Sequence, residues 1–91
     1  MGLFTFVLEY AGGTYVSQKA GADEQEAFSN WIGSLSTSKI PDAELLGTAF
    51  AEATQDLTAI EILDGVWCDH VLARDELALV NVIRTAPRAN D

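Results

Sequence analysis

Residues 57–85 read LTAIEILDGVWCDHVLARDELALVNVIRT, and the way this stretch alternates decides the fold. Apolar side chains recur at every second position on both sides of Asp64-Gly65 and of Arg74-Asp75, the period of a strand rather than of a helix. Asp-Gly is a strong signal for a two-residue hairpin loop. The spacing therefore predicts a three-strand antiparallel meander. It sets Leu63 opposite Val66, Glu61 opposite Cys68, Leu72 opposite Leu77 and Cys68 opposite Asn81.

Working outward, residues 3–10 (LFTFVLEY) also alternate, with Phe4, Phe6, Leu8 and Tyr10 on one side. Glycines in AGG (11–13) accept the positive φ of a tight turn, and TYVSQKA returns as a second strand. A three-residue loop is expected there, with Val16 opposite Leu8, which keeps like with like. GADEQEAFSNWIGSL then opens a helix. Asp23 and Glu26 carry the spacing of a capping box, and Ala27, Phe28, Trp31, Ile32 and Leu35 form one helical stripe. After Pro41-Asp42 a second helix repeats Leu46, Ala49, Phe50 and Ala53. The order is ββααβββ: an α+β domain over residues 1–86, an antiparallel sheet of about five strands with two helices on one face, and a flexible tail at 87–91.

The meander has two faces, and both are mainly apolar. One carries Thr58, Ile60, Ile62, Trp67, Asp69, Val71, Val80 and Val82; the other Ala59, Glu61, Leu63, Val66, Cys68, His70, Leu72, Leu79, Asn81 and Ile83. Two helices of ordinary length cover one side of such a sheet, and the richer β-branched and aromatic content assigns them to the Trp67 side. An antiparallel sheet with one solvated face normally alternates cleanly between apolar and polar residues. The greasy second face here calls for a lid, and another copy of the chain is the simplest one. A homodimer is expected.

Composition bounds the function. The chain has 91 residues and a net charge of −9, which disfavours nucleic acid and anionic membranes, because phosphate contacts need clustered basic residues. Lys19, Lys39, Arg74, Arg84 and Arg88 are scattered along the sequence. No apolar run is long enough to cross a bilayer. The single cysteine cannot close an internal disulfide and nothing argues for an oxidising compartment, so a cytoplasmic setting is expected. No metal-ligand spacing or phosphate-binding loop is present, and no cofactor is expected.

GVWCDH at 65–70 holds the only cysteine and the only histidine. Cys68 and His70 are two apart on a strand and point the same way, while Asp69 points oppositely. With Glu61 and Asn81 beside Cys68 in the expected register, the parts of a thiol nucleophile, its base and an orienting group share one face. Against this, a free cysteine packs as a small hydrophobe, and a reactive thiolate wants positive charge or a helix N-terminus nearby. Packing is the preferred reading. The reading adopted is a small acidic homodimeric interaction or accessory module, without catalysis, that recognises another protein. A small-molecule or thiol-dependent site at Cys68, His70, Glu61 and Asn81 is the alternative.

Residues 4–31, FTFVLEYAGGTYVSQKAGADEQEAFSNW, resemble the opening of HicB-type antitoxin domains, a hairpin followed by a helix that starts with an acidic stretch and the pair Glu26-Ala27. The Pro-Gly-Cys type segment usual between strand and helix in those domains is missing, and the remainder departs from their pattern. The resemblance carries over no functional residue. What it implies is a regulatory role against a small basic partner, a further alternative.

Overall fold

The computed structural model describes residues 2–53, 57–60 and 63–87. The elements run β1 (Gly2–Tyr10), β2 (Gly13–Gly21), α1 (Glu24–Leu35), α2 (Ala43–Ala53), β3 (Thr58–Ala59), β4 (Val66–Ala73) and β5 (Glu76–Pro87). The ββααβββ order and the α+β class are thus as the sequence predicts. The strands form one antiparallel sheet in the order β2-β1-β5-β4-β3. The first and last strands therefore meet in the middle, a pairing that no local pattern announces. Of the expected tail, Pro87 belongs to β5, opposite Gly2, and residues 88–91 lie outside the described ones.

Both helices lie on the face of Phe4, Phe6, Leu8, Tyr10, Val80 and Val82, all buried. Trp67 and Val71 pack against this core from β4, so the helices take the Trp67 side, as expected. The centre is aromatic. Phe6 stacks on Trp31 at 5.2 Å between ring centroids with planes 3° apart, and Phe50 meets Trp31 edge-on at 5.3 Å. Phe28 closes the set, 6.0 Å from Phe50. Offset and edge-on pairs at such distances add to the burial of the rings.

Helix α1 starts as its sequence requires. The Glu26 backbone N–H donates to Asp23 Oδ1 at 2.8 Å. Glu26 Oε1 in turn accepts from the Ala22 N–H at 2.7 Å, one residue earlier than in the usual reciprocal box. Asp42 behaves differently. Its φ of 57° is left-handed and its carbonyl takes the Leu46 N–H, while its side chain turns away from α2 altogether.

Two registers differ from expectation. The first hairpin closes on a two-residue loop, Ala11-Gly12, with Tyr10 opposite Gly13 and Tyr15, not Val16, opposite Leu8. Ala11 and Gly12 have φ of 50° and 82°, the paired positive values that match the right-handed twist of the flanking strands. Tyr15 thereby joins the core side and Val16 pairs with Val7 on the other.

The second correction concerns β3. Cys68 lies opposite Thr58, not Glu61, and Trp67 opposite Ala59. Asp64-Gly65 is not a hairpin tip. Gly65 O already accepts the Arg84 N–H, extending the β4–β5 ladder, while the Ile60 N–H donates to the Val66 carbonyl and the Leu63 N–H to the Ile60 carbonyl. The displacement is an odd number of residues, so it swaps the faces of Thr58 and Ala59. The β4–β5 hairpin follows the expected register, with Cys68 opposite Asn81 and Leu72 opposite Leu77.

Candidate functional site

The candidate site is the outer face of the sheet, away from the helices. Register places its residues in rows across the strands: Val16, Val7, Asn81, Cys68 and Thr58 in one, Gln18, Thr5, Ile83 and Val66 in the next, Thr14, Glu9, Leu79 and His70 on the other side. Among the described residues no helix or loop covers this face. Leu72 is 68% exposed, Val16 64%, Leu77 55% and Ile83 36%, whereas on the opposite face Phe4, Phe6, Leu8, Tyr10, Val80 and Val82 are buried. Glu9 is the one carboxylate that β1, β2, β4 and β5 present here.

Within this face the structure brings Cys68 and Asn81 side by side and leaves His70 one step along β4, opposite Leu79. Glu61 lies outside the described residues, and its expected place beside Cys68 belongs to Thr58. Cys68 is half-buried and His70 exposed. Positions two apart on one strand are about 6.8 Å apart along the backbone, and no hydrogen bond joins the Cys68 thiol to the His70 ring. Among the described residues neither the Cys68 thiol nor the His70 ring has a hydrogen-bond partner. Asp69 cannot orient the imidazole, because its side chain points to the helix side, with Oδ1 accepting the His70 backbone N–H at 2.8 Å. Its Oδ2 is buried and without a partner among the described residues. What the face offers is an apolar surface with a polar thread through it.

No group of three or more His, Cys, Asp or Glu side chains able to hold a metal ion occurs among the described residues. No helix of the structure is long and apolar enough to cross a membrane.

A polar cluster at the other end of the molecule was not legible in the sequence. The Tyr10 hydroxyl donates to Asp42 Oδ2 at 2.8 Å and lies 3.3 Å from the Ala73 carbonyl. Arg74 Nε donates to Asp42 Oδ1 at 2.8 Å. One carboxylate thus ties β1, the start of α2 and the β4–β5 turn, where Arg74 and Asp75 also have positive φ. The hydrogen bond to Asp42 raises the Tyr10 pKa above that of an ordinary phenol, and burial and the Asp42 charge push the same way. The folded state holds this proton more tightly than the unfolded one. The stability it confers is whole below about pH 10, the unfolded phenol's value, and drains away as the pH climbs through the raised folded value. Urea denaturation of the native protein and Tyr10→Phe should show the native protein's advantage constant up to about pH 9 and shrinking as the pH rises beyond about 10. A constant difference would refute the coupling.

Lys19 and Lys39, far apart in the sequence, line one cavity of about 600 Å³ between β2 and the α1–α2 connection. In sequence they counted only as scattered charges.

Compared with known proteins, the chain matches no family model, no curated protein and no solved structure.

Proposed function

We propose that the protein is a non-enzymatic interaction module that works as a homodimer, two copies meeting through their outer sheet faces. The observation that carries this reading is the uncovered apolar face itself, bearing Val16, Leu72, Leu77 and Ile83 in solvent. Each large aliphatic side chain left in water forgoes about 1.5–3 kcal/mol. Four strands about 4.8 Å apart and about eight residues long offer a platform on the order of 500 Å² in plan. Side-chain relief enlarges that area toward the roughly 800 Å² per partner that stable interfaces bury. Charge distribution supports the same reading. A chain of net charge −9 repels its own copies, so self-association needs a surface almost free of carboxylates, and among the described strand residues of this face Glu9 stands alone.

Light scattering at micromolar concentration should give a mass near twice 9.8 kDa, and added salt should tighten the association by screening the net charge. Leu72→Glu with Leu77→Glu changes two exposed positions whose side chains the core does not use. It should leave the circular dichroism unchanged and weaken the dimer at least about a hundredfold, the effect of losing two buried leucines. A native protein that is monomeric throughout would sink the proposal.

A further inference from the structure

The cavity that holds both lysines is also where the sheet is open. β2 is an edge strand, paired on one side with β1 only. Its hairpin closes at Tyr10 and Gly13, and in an antiparallel ladder hydrogen-bonded pairs alternate with non-bonded ones. The backbone groups of Tyr15, Ser17 and Lys19 therefore point into the sheet, and those of Thr14, Val16, Gln18 and Ala20 point outward. The Ala20 carbonyl is taken by the Asn30 side chain at 2.9 Å. The outward groups of Thr14, Val16 and Gln18 have no partner among the described residues. An unpaired edge of this kind is a template for another strand.

Charge at this edge is the reverse of the charge of the molecule. Lys19 and Lys39 line the cavity and no carboxylate does, in a chain with 14 acidic residues. Neither lysine makes an ion pair among the described residues. Lys19 projects to the helix side of the sheet, in the row of Phe4, whereas Val16, on the outer side, is 64% exposed. A strand laid along β2 would present its residues alternately to these two environments, the lysines on one side and Val16 on the other.

We infer that the free edge of β2 pairs with an extended segment of a partner protein in which acidic residues alternate with apolar ones. The backbone of that segment bonds Thr14, Val16 and Gln18, its carboxylates meet Lys19 and Lys39, and its apolar side chains continue the outer face beside Val16. Strand addition of this type takes its affinity from main-chain bonds and its selectivity from alternate side chains. The cavity is broad, and its charged groups lie at its rim, Lys39 exposed and Lys19 half-buried. That favours a chain lying across it over a small anion enclosed within it. The inference goes beyond self-association and uses the sheet's edge, touching the face proposed for the dimer at Val16.

The test is an amide-resolved NMR titration of the whole protein with a synthetic peptide alternating glutamate with valine and threonine. Shifts and slowed hydrogen exchange should appear at the Thr14, Val16 and Gln18 amides and weaken as salt is added. A peptide with lysine in place of glutamate should not bind. Lys19→Glu with Lys39→Glu should reduce affinity at least about tenfold, because like charges then face each other; Lys39→Glu alone, at an exposed position, serves should the pair disturb folding. Equal binding by a peptide N-methylated at alternate residues, which keeps the charge but not the donors, would overturn the inference. So would the same shifts with inorganic phosphate alone, absence of binding at millimolar peptide, or protection of these three amides in the protein by itself, which would mean that β2 pairs with a second copy.

Discussion

Trp31→Ala is expected to remove a large share of the protein's stability. Trp31 is 2% exposed and touches Phe6, Phe28 and Phe50 in ring contacts between 5.2 and 5.8 Å. Truncating a buried aromatic costs about 3–5 kcal/mol through lost transfer energy and the cavity left behind. The whole stability of a domain this size is only about 5–14 kcal/mol at roughly 0.05–0.15 kcal/mol per residue. The hole sits where α1, α2 and β1 converge, so no single element can collapse into it. Urea denaturation followed by far-ultraviolet circular dichroism measures the effect, with Trp31→Phe as the milder comparison. A midpoint within about 1 kcal/mol of the native protein would show that the stack is not the centre of the core.

Gly21→Ala should be nearly as damaging, for a different reason. A Cβ built on Gly21 would stand 2.4 Å from the Ala27 nitrogen, 2.8 Å from its Cα and 2.9 Å from its Cβ. These are mostly backbone atoms in the first turn of α1, and they cannot rotate aside. The turn must lift from β2, which strains the Asp23–Glu26 cap and opens the core at Ala27 and Phe28. Overpacking of this kind costs about 1–3 kcal/mol and sometimes more, and the upper end applies because backbone must move. Gly33→Ala is the control. Nothing lies within 4 Å of its added Cβ, the site is exposed and helical, and alanine there should stabilise by about 1 kcal/mol. The same substitution at two glycines should thus shift the denaturation midpoint in opposite directions. A shift of the same sign at both would show that the contact between β2 and α1 is looser than the structure gives.

How far the sequence reveals this molecule can be followed residue by residue. The alternation of Phe4, Phe6, Leu8 and Tyr10 and the stripe of Ala27, Phe28, Trp31 and Leu35 both report burial, because a side chain's period follows directly from the geometry of its element. The β4–β5 register is legible because a tight turn fixes it. The β3 register is not. Asp64-Gly65 is turn chemistry, but Gly65 bonds to Arg84 across the sheet, and a long-range pairing of that sort overrides the local signal. The first loop misleads for a smaller reason, since Ala11 takes a positive φ that alanine seldom adopts. At the candidate site the pairing of Cys68 with Asn81 follows from the readable hairpin, whereas Glu61 was placed by the unreadable one. The clasp of Asp42 by Tyr10 and Arg74, and the meeting of Lys19 with Lys39, join segments distant in sequence, and nothing local encodes them.

The central ladder joins the two extremes of the described chain, Leu8 with Val80 and Phe6 with Val82. Neither the first hairpin nor the last can shelter its greasy side until that long loop closes, and closure must be met from entropy before any contact rewards it. Assembly is thereby made all-or-none: two ready-formed hairpins wait on one rare encounter. The rate at which the protein folds should follow the collision of β1 with β5 far more closely than the speed with which either helix winds.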